Sequence, residues 1–574
     1  MVKPNFHKPL KILKQILFVL GLIFLFNWLG SFYFVRWDWS SEKRYSLSEE
    51  TKKLLEEVEN EVFFKVYLEG DFPAGFTRLN QKTKEMLDEF RAYNKNIRYR
   101  FINPNFEKDA EKRNLLYKEL IEKGLTQTDL QVKTKEGLQQ QLIFPGAIVS
   151  YDLYELPLDL LKNQMGVPPE AVLNNSIQAL EFSIASAIKR LIQKQKPKVA
   201  FLKGHGELSR EYLADISRAL AIDYQLEEVE ILGNPNILLS HFLTDSVVPK
   251  FSTLIIAKPE KVFDEKDKYV IDQFLMYGGK IFWLVDPVAA SMDSLKNNQS
   301  IMAITKYLNI EDQLFTYGIR LNNNLIMDLN ARQIPLRTGQ MGNQAKIDFF
   351  TWYYFPAISS FSNHAIVKNL NAISTEFVSN IDTLPKKGST KTILLATSRY
   401  SRVINTPAII NFDILQSEPD PRFFSQGNQN IAILLEGEFE SVFKNRFSPL
   451  AKDYPGIKSL NKSVNTQMIV VSDGDLIKNQ LHNSQGYPLP LGYDQFTSQT
   501  FGNKDFILNA MNYLTDGKGL IALRNRELKL RLLDKAKTNE DRVYWQIFNS
   551  LLPIILVVVF GIVLVTLRRR KYTN

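Results

Sequence analysis

The chain is 574 residues long, contains no cysteine and carries a formal charge of +9. The missing thiols exclude disulfides, thiolate catalysis and cysteine metal sites. Four lysines in the first fourteen residues and four cations after Leu567 hold nearly all the charge excess. That leaves about +1 elsewhere and excludes the basic folded surface that a nucleic-acid binder needs.

Lys3, Lys8, Lys11 and Lys14, with no acidic residue among them, precede an apolar run from Ile16 to Val35. A basic start followed by such a run fits either a cleaved signal peptide or a retained anchor. No alanine occurs before Ala74, so the usual small-residue cleavage site is missing. The expectation is a cytoplasmic tail at 1–14 and a first transmembrane helix at 15–35, within which Asn27 and Ser31 bond either to a partner helix or, as the plainer account, inside their own helix. Trp37 and Trp39 follow, suited to a membrane interface.

Residues 36–195 read as a first outer domain. Ser46 and Glu49 have capping-box spacing ahead of a helix reaching about Val58. A strand is expected at Val62 to Leu68, and the turn-rich Gly70 to Phe76 leads to a helix from about Leu79 to Asn94. Ile97 to Ile102 alternates as a strand and stops at Asn103-Pro104. A helix at about 108–123 precedes two antiparallel strands near Leu130 to Lys133 and Ala147 to Tyr151. The order βαβαββ is that of a thioredoxin-like unit, which without cysteine serves as a scaffold. A helix from about Asn175 to Ile192 closes the domain.

Residues 196–520 read as a second outer domain. Strands are expected at Val199 to Leu202, Thr253 to Ala257, Lys280 to Val285 and Gln467 to Val471, with helices at Ser209 to Leu220, Asp264 to Tyr277 and about Lys504 to Leu514. Strands alternating with helices of this length predict a doubly wound parallel sheet, of flavodoxin-like or amidotransferase-like layout. The long insertion between Val285 and Gln467 contributes strands of its own around Leu325 to Met327, Thr392 to Ala396 and Ile431 to Leu435.

Ligands of such sheets sit outside the carboxyl ends of the strands. That edge is expected to gather His205 and Glu207 after one strand, Asp286 after another, and Asp473 and Asp475 after a third. Carboxylates and an imidazole in one crevice suit a cation, a sugar or an amine, or acid and base chemistry. Gly204-His205-Gly206 and Ser472-Asp473-Gly474-Asp475 are equally ordinary turn chemistry. The five histidines are scattered, with no paired metal spacing. The Gly-x-Ser-x-Gly elbow and the phosphate loop are both absent, so nucleotide hydrolysis belongs to another polypeptide.

A basic, leucine-rich juxtamembrane helix is expected at 521–546. The twenty-one residues from Ile547 to Leu567 carry no charge and reach roughly 30 Å as a helix, the thickness of a bilayer core. Arg568-Arg569-Arg570-Lys571 then mark 568–574 as a second cytoplasmic tail. Two transmembrane helices would thus flank a periplasmic α/β region, with both termini in the cytoplasm.

Several stretches together carry a resemblance: Arg44-Tyr45-Ser46-Leu47-Ser48, Gly70-Asp71-Phe72-Pro73 with Phe76 and Leu79, Asn103-Pro104, and Phe201-Leu202-Lys203-Gly204-His205-Gly206-Glu207. The chain is similar over essentially its whole length to the gliding-motility ABC transporter substrate-binding proteins of Bacteroidetes. The resemblance implies an inner-membrane accessory subunit, without catalytic residues or cofactor. Its implied partners are a membrane permease and, through it, a cytoplasmic ABC ATPase, with envelope components as further contacts. A periplasmic hydrolase using Glu207 with Asp286 or Asp473, or a cell-wall glycan binder, is the alternative reading of the same crevice.

Overall fold

The structure is a computed structural model. It describes residues 16–25 and 28, then 46–516 apart from 108, 135–136, 163–167, 194, 242–246, 299, 342–343, 360, 417 and 455–457, and finally 519, 523 and 542–572. It divides into two compact units, 1–526 and 527–574.

In the larger unit the first helix, α1 (Ile16–Leu25), has ten residues. Where a flanking pair of spans is expected, among the described residues only the last helix is long and apolar enough to cross a membrane. Most of the remaining expected first span, with Asn27, Ser31, Trp37 and Trp39, lies outside the described residues.

Helix α2 (Glu49–Glu56) starts two residues later than the capping-box reading. Ser48 is the N-cap and accepts from Thr51 N, because the acidic first turn begins at Glu49. Strand β1 (Val62–Val66) is followed by α3 (Ala74–Tyr93), β2 (Ile97–Phe101) and α4 (Ala110–Glu122). Next come β3 (Thr128–Thr134), β4 (Gly137–Ile143), β5 (Gly146–Tyr151) and β6 (Tyr154–Asp159). The first sheet has the order β2-β1-β5-β6, with β1 parallel to β2 and antiparallel to β5. The two strands expected to pair with each other do not. The first belongs to a separate hairpin, β3 with β4, and Ala147 to Tyr151 pairs with β1 and with β6 across a tight turn. The single expected helix after them is two, α5 (Pro169–Gln178) and α6 (Leu180–Ile192), joined at Ala179. Glu181 at the start of α6 accepts from Ser48 N and Thr51 Oγ1, at 2.7 and 2.9 Å, and so fixes α2 to α6.

The second sheet begins with β7 (Lys198–Lys203), α7 (Ala214–Leu220) and β8 (Gln225–Glu230). A short ribbon, β9 (Leu239–His241) with β10 (Val247–Pro249), precedes β11 (Thr253–Ala257), α8 (Glu265–Met276) and β12 (Lys280–Leu284). The insertion then runs through β13 (Val288–Ala289), α9 (Met292–Asn298), β14 (Ser300–Thr305), α10 (Glu311–Tyr317), β15 (Ile319–Leu321), β16 (Asn324–Asp328) and the long hairpin of β17 (Ala331–Met341) with β18 (Gln344–Ile358). It continues with β19 (Ile373–Ser374), β20 (Ile381–Thr383), β21 (Ser389–Ala396), β22 (Ser401–Asn405), β23 (Ala408–Asn411) and β24 (Asn430–Gly437). Strand β25 (Thr466–Val471), the small pair β26 (Tyr493–Asp494) and β27 (Gln499–Thr500), and α11 (Asn503–Asp516) complete this unit's regular elements.

Seven strands form one sheet in the order β21-β24-β25-β12-β11-β7-β8. The five from β25 to β8 are parallel, and β24 and β21 extend them antiparallel, so the sheet is mixed rather than wholly parallel. Its central strands read as unbroken apolar runs because both faces are covered. Ile255, Phe282 and Ile469 pack on one side with Ile216 of α7 and Phe506 of α11. Their neighbours Leu254, Trp283 and Val470 pack on the other with Phe274 of α8 and Leu314 of α10. The remaining insertion strands enclose a small core of their own around Trp352, Phe355 and Leu325.

The second unit is described as a single helix, α12 (Arg542–Tyr572), of 31 residues. Its segment Tyr544–Arg570 is 27 residues long, roughly 40 Å. The rings of Tyr544, Trp545 and Phe548 contact one another near one end, and the cations from Arg568 lie at the other. Most of the expected juxtamembrane helix, with Arg524, Arg526, Lys529, Arg531, Lys535 and Lys537, lies outside the described residues.

Candidate functional site

The parallel strands β7, β11, β12 and β25 end on one edge, and each delivers a charged or ionisable residue within a few positions of its last. Strand β7 delivers His205, β11 Lys258, β12 Asp286, and β25 Asp473 and Asp475. Lys258 turns out of β11 with φ +56° while its N–H donates to Leu284 O at 2.8 Å. Its ammonium lies 3.2 Å from Asp286 Oδ2 and also contacts Asp475 Oδ2. Asp286 in turn accepts from Gly474 N. Asp475 reaches a second cation, Lys478, at 3.2 Å. Gly474 is needed for this closeness, since a Cβ there would sit 2.7 Å from Lys258 Cβ and Cγ. Asp473 is wholly buried and accepts from Glu376 N at 3.0 Å and from Asp475 N at 2.8 Å. Glu376 is paired with Arg332, whose guanidinium lies over the Phe355 ring.

The electrostatics follow from that wiring. Burial pushes Asp286 up, opposed by the Lys258 ammonium. Burial also pushes Asp473 well up, and the like charges of Asp286 and Asp475 add to it, so this carboxyl is held toward its neutral form. Burial acts on Asp475 too, but Lys258 and Lys478 outweigh it and hold that carboxyl below its ordinary value. Asp475 is thus held in its charged form between two ammoniums, while burial works against the charge on Asp286. One oxygen from each of Asp286, Asp473 and Asp475 lies within 4.8 Å of the others, a spacing that a hard cation can bridge. The ammonium between Asp286 and Asp475 already supplies that positive charge, and a metal would have to displace it.

His205 and Glu207 form a separate group. His205 Nε2 is 3.0 Å from Asp267 Oδ2 in the first turn of α8, Nδ1 faces Glu207 Oε1 at 3.4 Å, and the ring stacks on Phe263 at 3.9 Å. Burial alone would lower the imidazole pKa, but the two carboxylates outweigh it and raise it to about 9. The other Asp267 oxygen accepts from Gly233 N, and Glu207 Oε2 accepts from His205 N.

Strand order reverses between β7 and β11, where doubly wound sheets keep their ligand crevice. Here the two loops are bonded to each other. His205 O accepts from both Glu260 N and Lys261 N at 2.8 Å, and Leu208 N donates to Ala257 O. The chain's own backbone fills that crevice.

Of the five residues expected in one crevice, the structure brings together Asp286, Asp473 and Asp475, and places His205 and Glu207 with Asp267 instead. Sequence reasoning missed Lys258, Lys478 and Asp267. Lys258 carried a usable signal, since it directly follows the apolar run Thr253 to Ala257, as Asp286 follows the run ending at Val285.

Residues 196–510 match the family described as ABC-type uncharacterized transport system, and residues 41–150 match a domain of unknown function. A Borreliella burgdorferi protein named only as uncharacterized is 21% identical over 565 residues, covering 96% of this chain and 97% of its own. Among solved structures, the mmIFT52 N-terminal domain aligns over 55% of this chain and 97% of its own length. Its identity is 11% and its TM-score 0.30, too low for any argument from fold.

Proposed function

From the premise that this chain belongs to the ABC-type uncharacterized transport system family, we propose that it is a non-catalytic accessory subunit of an ABC-type complex. A permease in the membrane and a cytoplasmic ATPase are its partners, and the anchoring membrane is the inner one. The bulk of the chain is periplasmic and its C-terminal tail is cytoplasmic. Gliding motility, and a substrate-binding part in it, rest on the resemblance carried by the Arg44 to Ser48 and Phe201 to Glu207 stretches.

The observation that carries the non-catalytic reading is the wiring of the strand-end edge. Its carboxylates are engaged by Lys258, Lys478 and backbone N–H groups, and the crevice between β7 and β11 is closed by backbone bonds. A hydrolase needs an acid and a base open to substrate. Glu207, with its side chain 1% exposed, and the wholly buried Asp473 are not. The start of the family match at residue 196 supports a domain boundary there. The strand order β2-β1-β5-β6 supports a thioredoxin-like first domain, and the five parallel strands support a doubly wound second one.

The absence of native cysteine makes the topology directly testable by labelling single thiols. With the outer envelope permeabilised, a membrane-impermeant maleimide is expected to label Phe447→Cys, at a fully exposed position, in otherwise intact cells. Asn574→Cys should react only after the inner membrane is opened. The opposite pattern would overturn the periplasmic placement.

A further inference from the structure

A cavity of about 760 Å³ lies along the outer edge of the seven-stranded sheet. It is lined by Thr383 at the end of β20, by Lys386 and Lys387 after it, and by Ser389, Lys391 and Ile393 of the edge strand β21. No carboxylate lines it, and among the described residues none of the three lysines makes an ion pair. The nearby acids have other partners, Asp382 with Arg320, Glu440 with Lys444, and Glu438 with Lys462, and only Glu440 also feels the charge of Lys386. A lysine on an edge strand ordinarily guards it against pairing with another chain by pointing into water.

Lys391 of β21 is half-buried instead and converges with Lys386 over Gly318, the left-handed C-cap of α10, where an added Cβ would lie 3.1 Å from Lys386 Cγ, 2.9 Å from Lys391 Cε and 3.1 Å from its Nζ. Burial and the like charge of Lys386 both press the Lys391 ammonium below its ordinary pKa. Cations held together in a concave wall that no carboxylate lines favour a counter-charge from outside the chain.

We propose that this groove binds a phosphate-bearing anion, with the three ammoniums on its oxygens and Ser389 and Thr383 as hydroxyl donors. Lysine binds phosphate as a point charge, without the bidentate fork that arginine would supply, and no arginine lines the groove. The phosphate belongs either to a small soluble ester or to a lipid headgroup.

The test uses the full chain in phosphatidylcholine nanodiscs, titrated with pyrophosphate and, separately, with phosphatidylglycerol vesicles. The expected result is saturable binding to at least one probe that weakens roughly tenfold or more in the Lys386→Gln/Lys391→Gln double variant. Binding is expected to stay unchanged in Lys462→Gln, and the double variant's unfolding midpoint should stay at the parent value. Binding of pyrophosphate alone assigns a soluble ester, and binding of vesicles alone a headgroup. No saturable binding to either probe, binding indifferent to the double variant, or citrate binding as tightly as pyrophosphate would each overturn the proposal.

Discussion

Replacing Lys258 with methionine is expected to destabilise the chain by about 3–5 kcal/mol, the usual effect of removing one partner from a buried ion pair. Methionine preserves the length and packing of the side chain but leaves Asp286 and Asp475 without the ammonium between them. The measurement is the urea midpoint of the full chain in detergent, read for the larger unit with the slope unchanged. Its pH dependence has a definite sign. In the parent, the folded-state pKa of Asp475 is depressed, so its stabilisation is present above the unfolded value and is lost as pH falls through the folded one. In the variant Asp286 loses its paired ammonium and Asp475 keeps only Lys478, so both protonate more readily and the gap between parent and variant should narrow on acidification. Adding Asp286→Asn to the variant should recover part of the loss, and the double-mutant cycle then measures the coupling itself.

His205→Gln should produce the second large effect, and it should depend on pH in the opposite sense. The parent imidazole has a folded-state pKa of about 9, against about 6.5 for an unperturbed histidine. A raised folded value means that its stabilisation is fully present below about pH 6.5 and is lost as pH rises through about 9. At pH 6 the variant leaves Asp267 and Glu207 facing each other without a cation, which is expected to reduce stability by about 3 kcal/mol or more. Toward pH 10 the two midpoints should converge. A pH-independent difference would mean that the ring acts only through its stacking on Phe263.

The elements that sequence placed well are those whose signals are local. Strand β11 is a short run of β-branched and aliphatic residues, and α8 opens at the capping Asp264, whose side chain accepts from Asp267 N. That helix is followed by Gly278 at φ +94°, where glycine is the natural stop. Strand β8 was missed because its sequence, Gln-Leu-Glu-Glu-Val-Glu, is an edge strand carrying three glutamates, which lowers its apparent strand character. Its charges are matched by Lys198 and Arg210, contacts visible only once β7 lies beside it. Likewise β21 and β24 were expected as strands of the insertion, but their addition to the main sheet depends on pairing between distant segments.

The site follows the same division. That Asp286, Asp473 and Asp475 stand at strand ends was legible from where the apolar runs stop. What they touch was not. Of the two cations that neutralise Asp475, Lys478 is three residues on but Lys258 is 217 residues away, and no spacing rule reaches that far. His205 looked like a turn residue open to a crevice. The φ +109° and +78° of Gly204 and Gly206 instead accompany a chain path that carries its ring onto Phe263 and Asp267. The apolar length of α12 needed no such partner, and its reach as a single helix was plain from composition.

The proposed role is tested most directly by isolating the full chain from native membranes in mild detergent, identifying what remains bound and assaying ATP hydrolysis before and after the partners are stripped away. The expected result is a permease and a nucleotide-hydrolysing subunit in fixed ratio, with hydrolysis falling to background when the chain is alone. A chain that purifies without either partner, or that hydrolyses ATP by itself, would contradict the account.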